Sequence, residues 1–210
     1  WDNRVFLRSM GSHGDLGGLS RRTQEVGDVI AASGKDYIIF ETVGVGQSEH
    51  DIIKVADISI VVLVPESGDE IQMMKAGLIE IADLFVINKS DRDGASRLST
   101  MLKNILHNFT SQDKLEPPVY NTIGTKDVGI DNLFTGIKEH SKLMSDLGYL
   151  DQRRLDRYRQ RVLSLVTNAL EKSFWTKERF DYLNNLTDTI GKINKVPHLM
   201  ADKLLNNHIR

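Results

Sequence analysis

Asp83-Leu84-Phe85-Val86-Ile87-Asn88-Lys89-Ser90-Asp91 is the stretch whose reading decides the fold. An apolar run of strand length ends abruptly in Asn88-Lys89-x-Asp91, and in an open α/β sheet ligands sit just beyond the carboxyl ends of the strands. The residue types suit a guanine base. Its N1–H and exocyclic amino group lie side by side, and the Asp91 carboxylate can accept both protons. Lys89 can lay its aliphatic stem over a purine face while its ammonium stays in solvent. Asn88 can either tie the loop to its neighbours or reach the purine N7. Three fixed positions make a short pattern, and the alternative is an ordinary strand-to-helix loop in which Asp91 caps the next helix. The strand in front of the pattern favours a base-reading loop.

The surrounding composition is that of a globular α/β chain. Of 210 residues, 40% are hydrophobic and 27% charged, enough for a proper core and one domain with an appendage. A net charge of −2 supplies no field that would draw the chain to nucleic acid or to a membrane surface. No apolar run approaches the roughly 20 residues of a membrane span. The absence of cysteine fits a reducing compartment, and a cytoplasmic location is expected. His13, His50, His107, His140, His198 and His208 show no paired metal spacing, so a zinc or iron site is unsupported. No Gly-x-Ser-x-Gly elbow supports nucleophilic hydrolysis.

Upstream of the deciding stretch, Val5–Met10 reads as a strand, followed by the glycine-rich loop Gly11–Ser20, whose glycines permit close backbone approach to a ligand. It lacks the Gly-Lys-Ser/Thr closure of a phosphate-binding loop, and a flexible turn explains it equally. A helix over 21–33 is stopped by Gly34. Asp36–Phe40 reads as a buried parallel strand, ending in Glu41-Thr42-Val43-Gly44-Val45-Gly46-Gln47-Ser48-Glu49. A carboxylate at a strand tip, three residues before a glycine, suits a phosphate site. Glu41 can hold a magnesium ion or its water shell, the Gly44 N–H can face the terminal phosphate, and Gln47 or Glu49 can orient a water. Alone, Glu41 reads equally well as a surface acid beside a tight turn; Asn88–Asp91 downstream tips the balance toward the phosphate reading.

Ile58–Val64 reads as the most clearly buried strand, and Ile71, Met74, Leu78 and Ile81 mark a helix after the loop 65–70. Leu98, Met101, Ile105 and Phe109 mark another. Pro117-Pro118 precedes a last strand, Val119–Ile123, with Gly124-Thr125-Lys126 at its tip beside the base. A helix follows from about residue 130 to Asp146. After Gly148, Leu155, Tyr158, Val162, Leu165 and Ala169 give the 3-4 spacing of a helix seam over 151–174, with arginines on the other faces as a solvated surface. Pro197 announces a short terminal helix.

Taken together, Glu-Thr-Val-Gly-Val-Gly-Gln-Ser-Glu at 41–49, Gly-Asp-Glu-Ile-Gln at 68–72, Asn-Lys-Ser-Asp at 88–91 and Leu-Gly-Gly-Leu-Ser at 16–20 closely resemble the MeaB/ArgK family, over roughly Val5 to Phe174. The resemblance implies a P-loop GTPase that acts as a chaperone for an adenosylcobalamin-dependent acyl-CoA mutase, gating cofactor loading and protection. It implies an α/β fold, a mostly parallel sheet flanked by helices, with a GTPase domain over 1–147 and a C-terminal helical arm over 148–210 used for homodimerisation. GTP or GDP and magnesium are the implied cofactors. Glu41 and Gly44 become the switch II magnesium and γ-phosphate elements, with Gln47 beside them. Asn88, Lys89 and Asp91, with Ile123 and Gly124, become the base site. Pro65–Lys75 becomes a further switch loop, and Asp69, Glu70 and Lys75 in it couple the GTPase to the mutase.

Two departures accompany the resemblance. The family's P-loop and magnesium-binding Asp do not occur among the 210 residues, so the chain is expected to be a fragment of a longer GTPase rather than a degenerate one, as its start at Trp1 also suggests. The usual Ser-Ala of the purine-side loop is replaced by Ile123-Gly124. Arg4–Met10 is similar to the form fused inside isobutyryl-CoA mutase, which stays as an alternative. A metallochaperone-type GTPase would need His/Cys ligands not seen here, and a non-catalytic interaction module is the remaining class.

Overall fold

Leu84–Ile87 forms the central strand of a three-stranded parallel sheet in the computed structural model of the chain, which describes residues 4–10, 23–42, 52–65, 77–109, 115–193 and 196–206. The sheet comprises β1 (Ile60–Leu63), β2 (Leu84–Ile87) and β3 (Val119–Asn121) in that order. Leu63 pairs with Ile87, and Ile87 with Asn121, so the three strands end level. All four residues of β2 are buried, as a central parallel strand covered on both faces requires. β1 lies at the edge of the described sheet and is only partly covered: Val62 is 60% exposed. The sequence pattern ranks these two strands the other way, because an unbroken apolar run carries no information about which strand will be central.

The described helices are α1 (Thr23–Ala32), α2 (Leu78–Ile81), α3 (Ala95–Phe109), α4 (Ile130–Asp146), α5 (Tyr149–Phe174), α6 (Lys177–Leu186) and α7 (Pro197–Asn206). On α3, Leu98, Leu102 and Leu106 recur every four residues and are fully buried, meeting Leu63, Phe85 and Ile87 in the core. Each such leucine contributes on the order of 2 kcal/mol by leaving water. α6 is capped by Thr176, whose hydroxyl accepts the Arg179 N–H. α7 opens on Pro197, a first-turn position that needs no N–H.

Two expected strands do not form among the described residues. Val5–Met10 and Asp36–Phe40 have no ladder partners among the described residues, and their side chains are largely in solvent; Ile39 is 89% exposed. An apolar segment becomes a strand only by pairing, and β1 takes neither. No helix of the described residues is long and apolar enough to cross a membrane.

The chain divides into two compact units, residues 1–154 and 155–210. The first holds the sheet with α1–α4. The second holds the remainder of α5 with α6 and α7, where Trp175 stacks on Phe180, with ring centroids 4.7 Å apart.

Candidate nucleotide-base site

Because β2 and β3 are parallel and in register, the residues that follow them leave the sheet side by side. The Thr122 N–H donates to the Ile87 carbonyl at 2.9 Å, and the Asn88 N–H to the Leu63 carbonyl at 2.8 Å, extending both ladders by one step. Asn88 therefore emerges against the loop after β3. Its side-chain oxygen accepts the Gly124 N–H at 3.0 Å and the Thr122 hydroxyl at 3.2 Å. Of the two roles open to Asn88, tying the loop is the one the geometry displays. The Ser90 N–H adds a third tie, donating to the Thr122 carbonyl at 3.0 Å. Thr122 is buried, so its own bonds are partly shielded from water, whereas the Gly124–Asn88 bond lies at the surface; together they tie the two loops to each other.

Lys89 stands in the left-handed region at φ 54°, uncommon for a residue with a long side chain. The Arg92 N–H donates to its carbonyl at 2.9 Å, closing a tight turn that sets Lys89 and Asp91 at the mouth of the loop. Asp91 does not cap α3. Its Oδ2 accepts a hydrogen bond from Lys126 Nζ at 2.8 Å. That bond holds the Asp91 carboxyl below the usual carboxylate value; desolvation opposes it, and its own backbone N–H and the charges of Lys126 and Arg92 add to it. Asp91 is thus an anion poised to accept N–H donors.

Ile123 and Gly124 open the loop on the β3 side. The Ile123 N–H donates to the Val128 carbonyl at 2.9 Å, closing a six-residue loop around a single 3-10 turn at Gly124–Lys126. The Ile123-Gly124 departure leaves the contact to Asn88 intact, since the donor is the Gly124 backbone. A Cβ at position 124 would sit 3.5 Å from the Asn88 oxygen, ordinary contact distance.

The structure brings Asn88, Lys89, Asp91, Ile123 and Gly124 together. Thr122 and Lys126 join them, and the sequence alone gives Thr122 no role in the site. The sequence places Lys126 at the strand tip, but its pairing with Asp91 depends on the closure of residues 123–128. Glu41 is exposed, on an unpaired segment, and no contact joins it to this cluster among the described residues. A lone carboxylate is a donor set that magnesium accepts, since the ion retains waters and phosphate oxygens as ligands. Among the described residues no group of three or more His, Cys, Asp or Glu side chains assembles into a metal site. Gly44 and Gln47, and Asp69, Glu70 and Lys75, lie outside the described residues, as does the loop Gly11–Ser20.

Comparison with known proteins finds GTPases among the relatives of this chain. A Pyrococcus horikoshii protein named "Putative GTPase" is 42% identical over 81% of this chain and 55% of its own length. The GTPase ArgK of Escherichia coli is 32% identical over 84% of this chain and 55% of its own. The methylmalonic aciduria type A homolog of Mus musculus, named as mitochondrial, is 31% identical over 83% of this chain and 43% of its own. The chain therefore spans about half the length of these relatives. The family model described as methylmalonyl Co-A mutase-associated GTPase MeaB matches residues 1–179. With most of its length matched, and Asn88–Asp91 folded against the loop after β3, the chain belongs to the MeaB family.

Proposed function

We propose that this chain carries the base-reading part of a GTPase that serves as chaperone to an adenosylcobalamin-dependent acyl-CoA mutase, gating cofactor loading and protecting the loaded enzyme. The observation that carries the reading is the joined pair of loops at the ends of β2 and β3. They fix an ionised Asp91 beside Lys89, on a scaffold tied by Asn88, Thr122 and Gly124. Ionised Asp91 offers two acceptor oxygens to the two adjacent N–H donors of guanine, and Lys89 supplies an apolar stem for the ring face. The family description and the names of the relatives favour GTP as the nucleotide and a mutase as the partner.

In this reading Glu41, Gly44 and Gln47 serve the γ-phosphate end. Glu41 would hold magnesium through a water, and the bound ion would supply charge neutralisation for phosphoryl transfer. Asp69, Glu70 and Lys75 pass the nucleotide state to the mutase. Residues 148–210 form a dimerisation arm.

The test is Asp91→Asn in the full-length protein, titrated with GDP and XDP. An amide faces guanine with a donor where an acceptor is needed, a mismatch of about 1–3 kcal/mol, or roughly five- to hundredfold in affinity. Xanthine presents a carbonyl at that position and should become the preferred base. GDP affinity equal to the parent's would show that Asp91 does not read the base.

A further inference from the structure

The carboxylate assigned to the base already has an internal partner. Lys126 Nζ lies 2.8 Å from Asp91 Oδ2, and the two side chains are 61% and 34% exposed. The backbone beneath Lys126 is fixed: its N–H donates to the Ile123 carbonyl at 2.9 Å, Asp127 beside it sits at φ 54°, and Gly124 is bonded to Asn88. Its stem is long and largely in solvent, so the ammonium can swing away while the loop stays in place. Lys126 therefore meets Asp91 as a removable cation on a rigid mount.

We propose that Lys126 is a built-in competitor for the base: its ammonium shares Oδ2 of Asp91, so a base with two adjacent N–H donors contends with it for that oxygen and a base with one donor need not. The inference rests on the reading of Asp91 as the guanine acceptor. Guanine offers N1–H and its 2-amino group, which together call for both carboxylate oxygens. Hypoxanthine offers N1–H alone and is satisfied by Oδ1, leaving the Lys126 bond to Oδ2 unbroken. Lys126 thus weakens guanine binding selectively and speeds release of a guanine nucleotide. The pair also keeps Asp91 ionised, so the acceptor is ready whenever the ammonium leaves. Ion pairs this exposed have small net strength, which sets the size of the effect at about two- to fivefold in affinity.

Calorimetric titration of the full-length protein with GDP and IDP, each with magnesium, tests the idea in parent, Lys126→Ala and Asp91→Asn. Lys126→Ala should bind GDP about two- to fivefold more tightly with IDP affinity unchanged, so that the GDP-to-IDP ratio rises. High salt should shrink the difference between parent and variant, because screening already weakens the pair. A thermal melt matching the parent's shows that the fold is retained. Lys126→Ala that binds GDP equally or more weakly, or that gains equally for IDP, overturns the inference. If Asp91→Asn loses GDP affinity in the same series, the base reading stands and only the competitor role falls. If Asp91→Asn keeps GDP affinity, the base reading falls and takes the competitor role with it.

Discussion

Arg153 grips Asp83 at two points, Nη1 to Oδ2 at 2.8 Å and Nη2 to Oδ1 at 2.7 Å. Asp83 immediately precedes β2, and Arg153 lies near the start of α5. The same carboxylate accepts the Ser59 N–H at 2.8 Å, and Arg153 also donates to the Asp57 carbonyl at 3.1 Å. One guanidinium therefore fastens the beginning of α5 to the amino-terminal ends of β1 and β2, opposite the base loops. Its protonated form is further stabilised, first by the hydrogen bonds to Asp83. Asp83→Ala should cost about 2 kcal/mol, less than for a fully buried pair because Arg153 is partly solvated. Arg153→Lys should recover only part of the parent's stability, since an ammonium cannot make the planar two-point contact. Urea denaturation of the three proteins checks both; equal midpoints for Asp83→Ala and the parent would show that the grip contributes nothing.

Stability should fall as pH drops below about 6.5. His140, on α4, is buried, and burial pushes its imidazole below the ordinary value of 6.5, with Asp83 opposing and Arg153 assisting. In the unfolded chain the ring takes up a proton as pH passes through 6.5, while the folded protein resists until its own lower value is reached. The unfolded state then binds more protons, and stability declines between the two values. His140→Gln should flatten thermal stability between pH 7 and pH 5. An unchanged pH slope in the variant would mean that other groups carry it.

Gly129→Ala should disturb the base loops from behind. Gly129 stands at φ 79°, and a Cβ there would lie 2.3 Å from the carbonyl oxygen of Asn121, the last residue of β3. The left-handed backbone and the overlap together should cost about 2–4 kcal/mol. Because Thr122 follows Asn121 directly, GDP binding by the full-length protein should weaken along with the melting temperature. A variant that melts like the parent would show that the loop relaxes freely.

The apolar positions Leu155, Val162, Leu165 and Ala169 of α5 are exposed, Leu155 by 51% and Val162 by 42%. A stripe of this kind on a long helix suits a second copy of the chain, in line with the proposed dimerisation arm. Leu155→Glu with Val162→Glu should turn a dimer into a monomer by light scattering and leave the melting curve of the monomer intact. Loss of folding in the double variant would place the stripe in a core instead, and unchanged mass would remove it from the interface.

What the sequence determined by itself is the set of locally coded features. The apolar run Leu84–Ile87 predicts a buried strand, and the polar residues after it predict the position of the base loop. The stripe Leu98, Met101, Ile105 and Phe109 predicts α3, although its most buried face proves to be Leu98, Leu102 and Leu106; Gly148 and the seam from Leu155 onward carry α5. Each of these is settled by side chains within a few residues of one another. Tertiary structure alone decided what depends on pairing. Val5–Met10 and Tyr37–Phe40 have strand-like composition, yet they stay outside the described sheet, because a strand exists only through its neighbour's hydrogen bonds. Asn88 settles on Thr122 and Gly124, and Lys126 on Asp91, because the register of β2 with β3 sets down side by side two loops more than thirty residues apart in the chain. The bond between Asp83 and Arg153 spans seventy residues and has no local signature; only the packing of α5's first turns against the sheet brings the two charges into reach.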